Sequence, residues 1–296
     1  MPELVETLLG ISVNQAQTYR VCQAISQAID SHQLHSPSPA LAYKLAQPTS
    51  LIYGMVDGSM LPTDTGWQET KLGRVFAATD HRASPFRATI VRSEYVAQRG
   101  SYHLFTPAFE QLLPPESPAR KVFVTDGAEW IGNWLQATYP DATHILDYFH
   151  MVEKLGTLAR DLPDGKAWLE TQQEALLVNQ NQQVEDNVLA LSQLSLSARS
   201  SVIGYLMANR DRMRYETYQK QGLMIGSGPF EAAHRTVLQV RMKRSGQRWA
   251  DQGCDNLVGL RVAHQSGKFG LVTQLLKTQN AENWFTPYGE VGTFDT

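Results

Sequence analysis

The order of predicted secondary structure from residue 51 onward is the feature that most limits how this chain can fold. Three short apolar runs typical of strands come first, and the chain then alternates between helical spacing and strand-like runs up to residue 162. Consecutive strands with short connections favour an antiparallel meander. The order strand, strand, strand, helix, strand, helix, strand, helix therefore predicts an α/β protein whose sheet begins with such a meander.

The boundaries of these elements can be read from turn residues and apolar spacing. The predicted strands lie at 51–57, 74–79, 87–96, 121–125 and 143–146. The predicted helices of the same region lie at 102–113, 130–138 and 148–162.

The remaining sequence is predicted to be helical or irregular. Residues 5–9 and 14–29 have the outline of a helix-turn-helix, the segment 36–39 (Ser-Pro-Ser-Pro) is typical of a linker, and further helices are expected at 230–244 and 250–264. We divide the chain into five parts: a helix-turn-helix-like segment (1–35), a first core part (50–161), an all-helical insertion (162–222), a final core part (223–278) and a tail (279–296).

Composition narrows the class of protein. With 42% hydrophobic and 19% charged residues, the 296-residue chain has enough apolar material for a packed core. It has no apolar run long enough to span a membrane and no basic, apolar start typical of a signal peptide, so we expect a soluble intracellular protein. Its two cysteines, Cys22 and Cys254, exclude a disulfide framework and a four-cysteine zinc ribbon.

Two of the predicted strands end in an aspartate followed by glycine, at Asp57 and Asp126. Asp-Gly is a common way to leave a strand, so either aspartate alone carries little information. With a later glutamate they form a set of carboxylates that repel one another at close range, and Mg²⁺ or Mn²⁺ relieves that repulsion because hard cations prefer oxygen ligands. Paired ions of this kind are common in phosphodiester displacement, so we interpret the carboxylates as a two-metal site.

Glu231 is the candidate third carboxylate, in the first turn of a helix that Gly-Ser-Gly-Pro opens at 226–229. Proline and glutamate are also ordinary helix-capping residues there. The following sequence favours function, because residues 232–277 hold eight Lys or Arg against two Asp, a net charge of +6, and the rest of the chain carries −9. A basic helix suits DNA phosphates. The candidate DNA-binding residues are Arg235, Arg241, Lys243, Arg244, Arg248 and Trp249.

A further pair, Asp147 and His150, stands where a predicted strand passes into a helix. The two residues are about one helical turn apart, so both side chains can face the same end of the sheet. The spacing leaves two interpretations open, a role at the site or a hydrogen-bonded helix cap.

Together these elements resemble the DDE-type transposases of bacterial insertion sequences, nearest to the ISKra group and its Mutator-like relatives. The resemblance covers roughly residues 50–265, and its most specific pieces are Asp147-x-x-His150 and the segments 225–231 and 241–249. It implies an RNase H-like mixed sheet with a helical insertion, in which Asp57, Asp126 and Glu231 bind two Mg²⁺ or Mn²⁺ ions. Asp147 and His150 then have a supporting role in DNA handling or site architecture.

The activity implied by the resemblance is metal-dependent cleavage of DNA at element ends, followed by attack of the freed 3′-hydroxyl on target DNA. The implied partner is DNA, with a homodimer or larger assembly to hold two ends, in the cytoplasm at the bacterial nucleoid. Two alternatives stay open: an RNase H-like nuclease that cuts without joining, and a truncated or domesticated DNA-binding protein. Family members commonly carry further DNA-binding or zinc-binding sequence before the catalytic core, so a truncated copy is one interpretation of this chain, and the sequence leaves open whether it is full length or active.

Overall fold

A five-stranded mixed sheet organises the protein. The computed structural model describes residues 15–29, 31–83, 88–226 and 228–278. Its strands in chain order are β1 (Leu51–Thr63), β2 (Gly66–Ala77), β3 (His81–Ala83), β4 (Ala88–Ile90), β5 (Glu94–Arg99), β6 (Arg120–Thr125) and β7 (Thr143–Leu146). The main sheet has the order β5-β2-β1-β6-β7, and β3 and β4 form a separate hairpin.

The directions of the strands confirm the predicted meander and the α/β class. β1 pairs antiparallel with β2, and β2 pairs antiparallel with β5. On its other side β1 pairs parallel with β6, and β6 pairs parallel with β7. The sheet is therefore mixed, with β1 at the junction between its antiparallel and parallel halves.

Three predicted strands have different bounds in the structure because pairing partners decide them, and β2 begins at Gly66 rather than at residue 74. β1 does not end at Asp57 but continues to Thr63, since β2 pairs along its whole length while β6 pairs with it only as far as Val56. The third predicted strand is wrong as a single element. Residues 88–90 pair with 81–83 in the small hairpin, and only 94–99 join the main sheet.

The helices surround this sheet and follow most of the predicted boundaries. Fourteen α-helical segments are present in the described ranges: α1 (Gln15–Ala28), α2 (Ser31–His35), α3 (Pro39–Leu45), α4 (Tyr102–Leu112), α5 (Glu129–Thr138), α6 (Tyr148–Ala159), α7 (Gly165–Leu177), α8 (Asn181–Leu189), α9 (Leu196–Asn209), α10 (Tyr215–Lys220), α11 (Gly228–Ala233), α12 (Val240–Met242), α13 (Asp251–Gln265) and α14 (Phe269–Thr278). None of the described helices is both long and apolar enough to cross a bilayer.

The predicted helices of the core and the all-helical character of 162–222 are confirmed by α4 to α10. A π-helical segment, His234–Gln239, joins α11 to α12, and we call the continuous run 228–242 the site helix. The predicted linker is wrong at its end, because Ser38 caps α3 and Pro39 begins it. Helix α14 was not predicted, and the predicted helix at 5–9 and the tail at 279–296 lie outside the described residues.

The two faces of the sheet bury separate cores, as the alternation of side chains along β1 requires. Ile52 and Val56 face one core, which aromatic residues of α4 and α5 complete. Tyr53 and Met55 face the other, which α6, the insertion and the site helix cover. The site helix is therefore held against the same face of the sheet as the insertion.

A buried ion pair connects the N-terminal helices, the sheet and the C-terminal helices. The Lys268 ammonium lies 2.8 Å from a Glu94 carboxylate oxygen, and both side chains are less than a tenth exposed. Lys268 also donates to the carbonyl oxygens of Leu34 and Ser36, and both oxygens of Glu94 accept from the Ser38 amide. Each charge is thus paired and hydrogen-bonded, which is the condition for its burial.

We expect Glu94→Gln to destabilise the protein by about 3–5 kcal/mol, because it leaves the Lys268 ammonium buried without its counter-charge. Urea unfolding followed by circular dichroism measures the change. The control is Glu216→Gln, which breaks the exposed pair with Lys220 on α10 and is expected to cost about 0–1 kcal/mol. Equal losses in the two variants would contradict the role given to the buried pair.

Candidate functional site

A cleft of about 1080 Å³ lies between β1, the first turn of α6 and the site helix. Residues from three separate stretches of the sequence meet there. Six of the predicted site residues line it: Asp57, Asp147, His150, Glu231, Arg235 and Lys243. The cleft therefore holds acidic and basic side chains at the end of the sheet where strand β6 stops.

Asp57 and Asp126 occupy equivalent positions on neighbouring parallel strands. The last paired residues of β1 and β6 are Val56 and Thr125, so the next residue on each strand is an aspartate. Burial raises the pKa of the Asp126 carboxyl, the Ala128 amide that donates to it opposes the shift, and the negative charge of Asp57 raises the pKa further. The two carboxylates are thus close enough to repel one another.

Asp147 and His150 form the hydrogen-bonded helix cap that their spacing allows, and both side chains also line the cleft. Asp147 is 1% exposed and caps α6, accepting from the Phe149 amide at 2.8 Å. Its second oxygen lies 3.2 Å from His150 Nδ1. This hydrogen bond raises the pKa of His150 to about 9 against the opposing effect of burial, and the charges of Asp147, Asp57 and Asp126 add to the increase. At neutral pH His150 therefore carries a positive charge that interacts with the carboxylates of Asp57 and Asp126.

The opposite wall of the cleft carries Glu231 and a histidine that sequence reasoning missed. Glu231 is exposed on α11, and His234, three residues later, begins the π-helical segment. His234 is only 7% exposed, yet its Nε2 lies 3.2 Å from Asp57 Oδ2 and has no hydrogen-bond partner among the described residues. The available signal was the spacing Glu231-x-x-His234, which places two possible ligands on one side of a helix.

The three predicted metal-binding carboxylates are not assembled into a closed chelating set. Within the described ranges no three His, Cys, Asp or Glu side chains stand as a group that could hold a metal ion. Asp57 and Glu231 share the cleft, whereas Asp126 is not among the residues that line it and interacts with Asp57 and His150 from beside it. Asp57 is therefore the carboxylate that relates the other two, since it shares the cleft with Glu231 and acts electrostatically on Asp126.

The predicted DNA-binding residues fall into three groups. Arg235 and Lys243 line the cleft, and Arg241, Arg244 and Arg248 are exposed elsewhere on or after the site helix. Trp249 is half-buried, and its indole nitrogen donates to the Met242 carbonyl at 3.1 Å. Its backbone amide also donates to Pro62, so Trp249 joins the end of the site helix to the end of β1.

The helical insertion contacts the turn that carries Asp126. The Tyr205 hydroxyl on α9 accepts from the Gly127 amide at 3.1 Å, and a Cβ on Gly127 would lie 2.4 Å from the Tyr205 ring. Only glycine allows this close approach. The insertion therefore supports the turn directly after Asp126.

Two hydrogen bonds fix the segment between the insertion and the site helix. The Met224 amide donates to the Tyr53 hydroxyl at 3.1 Å, and the Tyr148 amide donates to the Ile225 carbonyl at 2.9 Å. Gly226 follows, packed so tightly under Phe149 that a Cβ would lie 2.5 Å from its ring. The start of the site helix is thus held to β1 and to α6, the two other walls of the cleft.

Comparison with known proteins does not assign the chain to a family: no protein-family model matches it, and no curated protein matches it.

We expect nuclear magnetic resonance titration of the metal-free protein to give a pKa of about 9 for His150, and Asp147→Asn to lower it towards the ordinary value of 6.5. Because folding raises this pKa, the stability that protonation of His150 contributes is complete below about pH 6.5 and is lost as the pH rises through about 9.

His144 provides an internal control for that titration. Its Nε2 lies 2.8 Å from the Thr125 hydroxyl, and burial lowers its pKa to about 3, an effect to which Arg212 adds. Its resonances should therefore stay constant from pH 5 to 10. A His150 pKa near 6.5 in the unaltered protein would contradict the proposed charge at the cleft.

Proposed function

We propose that the protein is a DDE-type DNA transposase that cuts the ends of an insertion sequence and joins them to target DNA. The observation that carries the proposal is the convergence of Asp57 and Asp126, from neighbouring parallel strands, with Glu231 from the site helix. Asp57 and Asp126 directly follow paired residues of the two strands, and Glu231 lines the cleft with Asp57, although these residues are 69 and 105 positions apart along the chain. Carboxylates so placed suit phosphodiester chemistry better than stability.

The architecture supports the RNase H-like core that the family resemblance implies. Three antiparallel strands are followed by two parallel strands that alternate with helices, and a helical insertion precedes the helix that carries Glu231. This is the element order on which the resemblance rests. Asp147 and His150, its most specific motif, lie in the same cleft as Asp57 and Glu231.

The donor set fits hard divalent cations. Asp57, Asp126 and Glu231 would hold Mg²⁺ or Mn²⁺ through carboxylate oxygens. Burial raises the pKa of Asp126, the charge of Asp57 adds to this effect, and a cation would offset that repulsion. When bound, two such ions supply an activated water or hydroxyl and stabilise the leaving oxygen.

The basic residues of the cleft would bind the DNA backbone. Arg235 and Lys243 stand on the same wall as Glu231, so phosphates bound there would lie beside the carboxylates. The positive charge of His150 offsets part of the negative charge of Asp57 and Asp126 and lowers the repulsion that an incoming phosphate meets. We expect two copies to act together, because two element ends must be held during joining.

We expect Asp126→Asn and Glu231→Gln each to lower DNA cleavage at least about 100-fold while DNA binding stays nearly unchanged, because each removes one charge from the metal-binding set. The substrate is a plasmid that carries the gene with its native flanking DNA, incubated with Mg²⁺ or Mn²⁺. Gel electrophoresis measures cutting, and sequencing of new junctions measures joining. The matched control is Asp64→Asn, an exposed aspartate on the turn after β1, which should behave as the unaltered protein.

The same assay separates the proposal from its alternatives. Cut DNA without new junctions would favour a nuclease or resolvase. DNA binding with neither cutting nor calorimetric Mn²⁺ binding would favour a DNA-binding protein that has lost its chemistry. Activity that survives Asp126→Asn and Glu231→Gln would exclude the assigned carboxylates.

Salt dependence tests the basic residues separately from the chemistry. If Arg241, Arg244 and Arg248 each contact a phosphate, replacing all three by Gln should reduce the slope of log affinity against log salt by about 0.9 per contact. Fluorescence anisotropy with labelled duplex DNA measures the slope. The control replaces Lys166, Arg214 and Lys220 of the insertion, an equal change in charge, and an equal loss of slope there would contradict the assignment.

A further inference from the structure

We propose that His234 is a nitrogen ligand of the metal site, which it shares with Asp57, and that the site therefore prefers a transition-metal ion such as Mn²⁺ to Mg²⁺. The inference rests on the proposed function only in taking Asp57 as a metal ligand. It adds a fourth side chain, and a different kind of donor atom, to the three carboxylates.

The first argument is the state of the His234 ring. His234 is 93% buried, and within the part of the chain that the structure describes its Nε2 has no hydrogen-bond partner. A buried polar nitrogen without a hydrogen-bond partner is destabilising, so such an atom usually has a partner that the protein atoms alone do not supply, such as a water or an ion. The ring lines the cleft, which places that partner on the side of Asp57.

The second argument is distance. His234 Nε2 and Asp57 Oδ2 are 3.2 Å apart, but the contact does not have the alignment of a hydrogen bond. Two ligands at about 2.1 Å from one ion lie about 3.0 Å apart at a right angle and about 3.4 Å apart at the tetrahedral angle. The observed separation falls between these values, so one ion can contact both atoms without a large movement of either side chain.

The third argument is the position of the ring on the site helix. His234 follows Glu231 by three residues and begins the π-helical segment, and both residues line the cleft with Asp57. π-Helical turns occur frequently at functional sites because they redirect side chains. Here the helix offers an oxygen donor and a nitrogen donor to the same space as the Asp57 carboxylate.

The nitrogen donor changes which ion the site favours. Proteins bind Mg²⁺ almost entirely through oxygen ligands. Imidazole binds Mn²⁺ more strongly than Mg²⁺, and it binds Co²⁺ and Zn²⁺ more strongly still. A site with His234 as ligand should therefore lose affinity for Mn²⁺ and Co²⁺ on His234→Gln by at least about tenfold, while its affinity for Mg²⁺ changes less.

The direct test is pulsed electron paramagnetic resonance on the chelator-treated full chain loaded with Mn²⁺, without DNA. We expect the spin echo of the bound ion to show modulation from a coordinated ¹⁴N, and protein labelled with ¹⁵N-histidine to show the ¹⁵N frequency instead. The modulation should disappear in His234→Gln and persist in His150→Gln, the matched control from the same cleft. If His234→Gln does not fold, the labelled protein still shows that the ligand is a histidine, and modulation that persists in His150→Gln then assigns it to His234, the other described histidine that lines the cleft.

Three results would overturn the inference: no Mn²⁺ binding, bound Mn²⁺ without nitrogen modulation, or modulation that persists in folded His234→Gln. The plasmid assay keeps this inference separate from the proposed function. If the protein joins DNA but shows no nitrogen modulation, the proposed function stands and the assignment of His234 as a ligand fails. If it shows nitrogen modulation but neither cuts nor joins DNA, the assignment of His234 stands and the proposed function fails.

Discussion

The site depends on the difference in length between the two pairings of β1. The antiparallel partner β2 accompanies β1 to Thr63, but the parallel partner β6 leaves after Val56 and Thr125. The next residues on these two strands, Asp57 and Asp126, no longer pair with each other's strand. The cleft begins at this end of β6. Carboxyl ends of parallel strands are common binding positions for this reason. The site helix and α6 then supply the other walls.

Much of the framework followed from sequence because its signals are local. Apolar runs closed by turn residues gave β6 and β7 within a residue, and helical spacing gave α4, α5 and the helical nature of the insertion. The errors arose where a distant partner decides the outcome. Residues beyond Asp57 continue as strand because β2 pairs with them, and residues 88–90 form a hairpin with 81–83 rather than extending β5. No local pattern contains that information.

The site was predictable in part for the same reason. Asp57, Asp147, His150 and Glu231 could be named from turns and spacing, and the structure brings these four to one cleft. His234 was missed because its contact joins residues 177 positions apart and depends on how the site helix crosses β1. Likewise, the support that Tyr205 gives to the Asp126 turn joins the insertion to the core and has no counterpart in local sequence.

The position of the insertion has a consequence for the order in which the protein assembles. Asp57, Asp126 and Asp147 belong to the sheet and its first following helix, but Glu231 and His234 reach them only after the chain has passed through α7 to α10. Closing such a long stretch is entropically costly, so contacts of this kind form late in folding. Half of the cleft is then complete only in the fully folded chain, and an unfinished polypeptide that is still emerging from the ribosome lacks the wall that carries Glu231.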